Sequence, residues 1–188
     1  MKIQIILGST RPGRVGEGVA KWVYKQASKR NDFEAELVDV ADFNLPLLDE
    51  PVPASMQQYS KDHTKRWSEK IAQADGYIFV TAEYNRGVPA AFKNAIDFLY
   101  HEWNNKAVGF VGYGSSGGNR SVESWRLISG ELQMADVREQ LQLYLHSDFE
   151  NYSVFKPTEQ HEQKLSKVLD QLVAWAKAMQ SLRLAKTG

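Results

Sequence analysis

The chain has 188 residues, 23 basic and 23 acidic side chains, a near-neutral pI and no cysteine. That length suits one domain, and a balanced charge with no basic block argues against nucleic acid as a partner. Lack of cysteine excludes disulfides, thiolate catalysis and cysteine-based metal sites, and no apolar run approaches the roughly 18 residues of a membrane helix.

The chain opens with a β-branched run, residues 2–7, that breaks into Gly8-Ser9-Thr10-Arg11-Pro12-Gly13-Arg14. Behind it Val15, Val19, Trp22 and Val23 fall on one helical face, so 15–30 reads as a helix. A strand, a polar turn and a helix N-terminus together suit an anion. Backbone N–H groups converge there, the helix dipole favours negative charge, and arginine grips oxygens in pairs. A plain connecting turn needs glycine and a capping serine, but not the two arginines, Arg11 and Arg14. No Lys-Ser/Thr pair follows, so the turn is not a Walker A loop. The phosphate expected here is a handle on a cofactor rather than a reacting γ-phosphate.

Strands are then expected at 35–40, 76–81, 107–112 and, weakly, near 140–144. Helices are expected at 54–74, 88–101, 118–134 and 158–182, the last with Leu165, Val168, Leu169, Leu172, Val173, Ala176 and Met179 on one face. The third and fourth strands are almost wholly apolar, as strands covered on both faces must be. Alternating β and α segments with short connections define an α/β fold with a parallel sheet and helices on both faces. At this length a flavodoxin-like five-stranded sheet, order 2-1-3-4-5, fits a single domain over residues 1–188. Ligands of such sheets sit beyond the carboxyl ends of the strands, at the switch point between strands 1 and 3. The apolar loop Asn44-Leu45-Pro46-Leu47-Leu48-Asp49-Glu50-Pro51 lies on that rim, where it would cover a ligand or meet a partner subunit.

Two further loops share the rim. Ala82-Glu83-Tyr84-Asn85-Arg86-Gly87-Val88-Pro89 offers an aromatic and an amide to a flat heteroaromatic ring, though a half-buried tyrosine before a helix-starting proline also accounts for it. Gly112-Tyr113-Gly114-Ser115-Ser116-Gly117-Gly118 spells both G-x-G-x-x-G and G-x-S-x-G. The dinucleotide fingerprint belongs on a first strand, and an elbow serine at Ser116 needs a later acid and histidine. A third reading has the glycine-rich backbone donating N–H groups to one edge of a planar ring. No His, Asp or Glu cluster has metal-ligand spacing, and Lys93 and Asp97 form a helix-surface pair.

Taken together, Gly8 to Arg14, Leu45 to Pro51, Glu83-Tyr84-Asn85 through Pro89, Lys93-Asn94-Ala95-Ile96-Asp97 and Tyr113 to Gly118 resemble the NAD(P)H-dependent FMN reductases of flavodoxin-like fold. That family includes quinone, azo-dye and chromate reductases, and the resemblance runs from residue 1 to about 145. It implies FMN as cofactor, with NADPH or NADH as co-substrate and a quinone or similar small molecule as acceptor. Ser9, Arg11 and Arg14 would hold the FMN phosphate, Glu83, Tyr84 and Asn85 would border the isoalloxazine, and Ser115 and Gly117 its pyrimidine edge. The chemistry is then carried by FMN, with no catalytic side chain required. A homodimer or homotetramer in the cytoplasm is implied, with Lys93 and Asp97 at a subunit contact. The family usually has proline where this chain has Ala82, a change expected to loosen the loop. Arg86 and Arg120 are candidates for a 2′-phosphate. A flavodoxin-type carrier, a serine hydrolase and a flavin-binding sensor are the alternatives.

Overall fold

Alternation along the first strand sets the layering. In a computed structural model describing residues 1–185, β1 (Lys2–Leu7) turns Ile3, Ile5 and Leu7 to one core and Ile6 to another. It pairs in parallel with β2 (Glu34–Asp39) and β3 (Gly76–Ala82), and β4 (Ala107–Gly114) and β5 (Ala135–Tyr144) complete the sheet. The order is β2-β1-β3-β4-β5, the flavodoxin-like arrangement expected. Every residue of β3 and β4 is buried, which is why their sequences lack alternation.

On one face α1 (Gly16–Ala27) and α5 (Glu159–Ala185) cover Ile3, Ile5, Ile78, Val80 and Val111. The expected α5 stripe from Leu165 to Ala176 is buried there. The other face carries α2 (Asp62–Ala72), α3 (Ala90–Asp97) and α4 (Asn119–Glu131) over an aromatic core. Phe79 meets Phe92 at 4.9 Å and Trp125 at 5.4 Å, both edge-on. The indoles are also satisfied: Trp67 donates to the Ala95 carbonyl at 2.7 Å and Trp125 to the Thr81 hydroxyl at 2.9 Å.

Several expected boundaries differ, each for a local reason. The helix expected at 54–74 is a short 3₁₀ turn, Ala54–Met56, followed by α2, because Gln57 takes a left-handed conformation (φ 51). Burial would raise the Glu50 carboxyl, yet the amides of Ser60 and Lys61 hold it down at about 2. That carboxylate thus anchors the entry to α2. The helix expected at 88–101 ends at Asp97, where Trp103 donates to the Ile96 carbonyl and Asn104 to the Tyr100 carbonyl, turning the chain. β5 starts five residues earlier than expected, hidden by polar Arg138, Glu139, Gln140 and Gln142 on an edge strand with a register shift opposite Val108 and Phe110. The antiparallel hairpin of β6 (Phe149–Glu150) and β7 (Val154–Phe155) was not expected.

Lys106 is buried below the sheet, its ammonium donating to the carbonyls of Ile71 and Ala72 and to the Tyr77 hydroxyl at 2.9 Å. Burial, aided by Arg183, pushes it down to about 7, against the opposing pull of Asp75 and Glu102. The unfolded lysine keeps its proton to about pH 10.4, so between pH 7 and 9 the unfolded state binds more protons. Stability should therefore rise with pH in that window by up to about 1.4 kcal/mol per unit, measured by urea denaturation. Lys106→Met should flatten the slope; an unchanged slope would assign the titration to another group.

Candidate functional site

The carboxyl ends of β1, β3 and β4 bring three loops together. At the first, the Gly8 amide donates to the Val80 carbonyl at 3.1 Å, drawing the turn over β3. A Cβ at Gly8 would lie 1.9 Å from the Phe92 ring, so only glycine allows that approach. Ser9 is fully buried, and its hydroxyl shares a 2.8 Å hydrogen bond with the Tyr84 hydroxyl. The Arg14 guanidinium is committed to the protein: it forks onto the Asp39 carboxylate at the end of β2 and also donates to the Ser9 carbonyl. Arg11 differs. Its guanidinium is exposed and makes no hydrogen bond or ion pair among the described residues. Of the two arginines expected at a phosphate, the structure leaves one open and uses the other to hold the turn.

The loop after β3 is a tight hairpin, Tyr84 and Gly87 exchanging backbone bonds at 3.1 and 3.0 Å. Asn85 (φ 49) and Arg86 (φ 68) fill its left-handed positions. The expectation that Ala82 loosens this loop is not met. Ala82 is buried within β3 opposite Tyr113, and the Glu83 amide donates to the Tyr113 carbonyl at 3.1 Å, so the ladder runs to the loop. The Glu83 carboxylate accepts the Arg120 amide at 3.0 Å and its guanidinium at 2.8 Å. It thereby caps α4 and ties the second loop to the third.

The third loop folds back on β4. Gly117 and Gly118 have φ of 66 and 72, and a Cβ on Gly118 would lie 2.5 Å from the Tyr113 nitrogen. The glycine spacing that spells two motifs thus comes from a turn pressed on its own strand. Ser115 is exposed at the turn and Gly117 is buried behind it. The Ser116 hydroxyl accepts from Arg120 at 2.8 Å, while His146 lies against Tyr144 and His161 serves Thr158. No imidazole meets Ser116 among the described residues, so it has no partner to activate it as a nucleophile.

Between these loops lies a cavity of about 250 Å³, lined in part by Arg11, Glu83, Tyr84, Tyr113, Gly114 and Tyr152. Burial pushes the Tyr113 phenol well above its ordinary range, and its hydroxyl has no hydrogen-bond partner. Beside it an unpaired guanidinium and the start of α1 present positive charge. The Tyr113 ring lines the cavity with its hydroxyl buried against Gly16 at the start of α1, and the open cation beside it fits a ligand with an anionic end. On the rim, Leu47 is 84% exposed, and Asn94 pins that loop by donating to the Pro46 carbonyl at 2.6 Å and accepting from the Leu48 amide. Lys93 and Asp97 pair with each other at 2.6 Å.

Fold and site define a flavodoxin-like protein with an arginine-lined cavity at the switch point of its sheet. Residues 1–147 match the model of the NADPH-dependent FMN reductases, and the chain belongs to that family. An NAD(P)H-dependent FMN reductase from a Nectria species is 50% identical over 126 residues, 64% of this chain and 63% of its own. An Escherichia coli quinone reductase is 38% identical over 100 residues, 52% of this chain and 50% of its own. The match therefore spans less than two thirds of either relative's length. Among solved structures, the NAD(P)H:(acceptor) oxidoreductase FerB of Paracoccus denitrificans superposes with a TM-score of 0.74 at 19% identity, covering 95% of this chain and 98% of that one. FMN, the family's cofactor, suits this cavity: Arg11 and the α1 amides are free for a phosphate, and Tyr84 borders the space for a ring.

Asp39 and Tyr113 are site residues that sequence reasoning missed. Asp39 acts across 25 residues of chain, and no local pattern announces such a contact. The Arg14–Asp39 fork is half-buried, and Asp39→Asn removes its charge. Its unfolding free energy should fall by about 1.5–3 kcal/mol, read from urea denaturation.

Proposed function

We propose that the chain is an NAD(P)H-dependent FMN oxidoreductase that passes electrons from NADPH or NADH, through FMN, to quinones or similar small acceptors. The observation that carries this reading is the unpaired Arg11 guanidinium beside the α1 N-terminus, on one cavity with the Tyr84 and Tyr113 rings. FMN, when bound, supplies the hydride chemistry. Arg11 and the start of α1 would hold the phosphate, and Arg14 keeps that turn in shape through Asp39. Tyr84 and the Asn85 turn border the ring. The turn at Ser115 and Gly117 would border its pyrimidine edge, with the Gly117 amide itself spent on the Gly114 carbonyl. Glu83 serves as the brace between these two loops, its carboxylate being occupied by Arg120. Arg86 makes no ion pair among the described residues, so it is the better placed cation for a 2′-phosphate than Arg120.

The acceptor reading is supported by the relatedness to a quinone reductase. We further place residues 1–188 in one FMN-binding domain, acting as a homodimer or homotetramer in the cytoplasm. The exposed Leu47 and Leu48 of the rim loop support self-association. Among the described residues no helix is long and apolar enough to cross a membrane.

Arg11→Ala should weaken FMN binding by roughly 10- to 150-fold, the loss of one charge-assisted contact of about 1.5–3 kcal/mol, read by fluorescence titration. Unchanged affinity would remove Arg11 from the phosphate. In an anaerobic titration of the FMN-loaded protein, NADPH or NADH should bleach the visible flavin band rapidly. A flavin that binds and stays yellow would overturn the reductase reading in favour of an electron carrier or a sensor.

A further inference from the structure

We propose that Tyr152, at the tip of the β6–β7 hairpin, is a positioning residue of the cofactor site: its ring covers the bound flavin nucleotide and slows its release. The proposal rests on the FMN reading above. Its starting point is a turn whose second residue is the wrong one for its conformation. β6 and β7 pair Phe149 with Phe155 and Glu150 with Val154, and the Ser153 amide closes the turn on the Glu150 carbonyl at 3.1 Å. Asn151 (φ 50) and Tyr152 (φ 56) both lie in the left-handed region, the dihedral pattern of a type I′ turn, here within a three-residue loop. Such a turn asks for asparagine and then glycine. Asn151 complies, but Tyr152 places a bulky ring where left-handed backbone is unfavourable.

Nothing in the packing calls for that ring. Tyr152 is 68% exposed and has no hydrogen bond or ring contact among the described residues. The hairpin beneath it is firmly set. Phe155 packs edge-on against Trp22 at 5.2 Å and tilted against Phe149 at 5.3 Å, and the Lys156 amide donates to the Asp148 carbonyl at 2.8 Å. A rigid stem thus carries a strained, unpartnered aromatic to the wall of the cavity shared by Arg11, Tyr84 and Tyr113. Strain kept at a ligand-facing position points to function there. A cation at one end and phenol rings along the wall match a molecule with a phosphate at one end and a flat ring system at the other. The hairpin follows residue 147, where the match to the family model ends.

The test compares the FMN-loaded full chain with Y152G and Y152F. FMN release after dilution is followed by recovery of flavin fluorescence, and unfolding is followed without added FMN. Y152G should release FMN about tenfold faster or more and yet unfold about 2–4 °C higher, because glycine relieves the turn. Y152F should release FMN within twofold of wild type. Opposite signs for retention and stability are what a merely structural tyrosine would not produce. Wild-type release in Y152G overturns the proposal, as does equal loss in Y152F, or a Y152G protein that is less stable. If the wild-type chain takes up no FMN at all, the FMN reading itself falls, a result distinct from unchanged release in Y152G.

Discussion

The parallel ladder between β3 and β4 governs the site. It runs in unbroken register from Gly76 opposite Ala107 to Ala82 opposite Tyr113, and the Glu83 amide adds one more rung. Parallel strands deliver their following loops at the same edge, so the Tyr84 turn and the Gly117 turn leave side by side. Both strands are buried on both faces, which leaves the ladder little freedom to slip. With the edge set, one carboxylate, that of Glu83, suffices to lock two loops by accepting twice from Arg120. The first loop is fastened to the same edge through Gly8 and the Ser9–Tyr84 hydroxyl pair.

Three of the arginines near this edge, Arg11, Arg14 and Arg120, show how charge is divided between scaffold and site. Arg14 and Arg120 are each bound to a carboxylate, Asp39 and Glu83, and each braces a loop. Arg11 alone of the three has no such partner among the described residues. The turn that carries Arg11 is already held from behind, so an anion bound there would require little rearrangement. The carboxylates of Asp39 and Glu83 are thereby committed to loop geometry.

Much of this was legible in the chain. The β1 run, the glycine-arginine turn and the alternation of elements specify a parallel sheet with its switch point at strand 1, because apolar periodicity and glycine placement are local properties. Continuous apolar runs marked β3 and β4 as central strands. Less was visible where polarity masks structure. The start of β5 is an edge rich in Arg, Glu and Gln, and the β6–β7 hairpin is too short to announce itself.

The sequence by itself determined which loops gather at the carboxyl edge and which residue types stand in them. Only the tertiary structure decided their roles. Arg11 and Arg14 are alike in sequence, three residues apart on one turn, yet one is open and the other sealed against Asp39. The aromatic wall likewise joins Tyr84, Tyr113 and Tyr152 from three separate segments. The physical reason is common to both cases: a charge or a ring takes its function from partners brought close through space, and spacing along the chain carries no record of them.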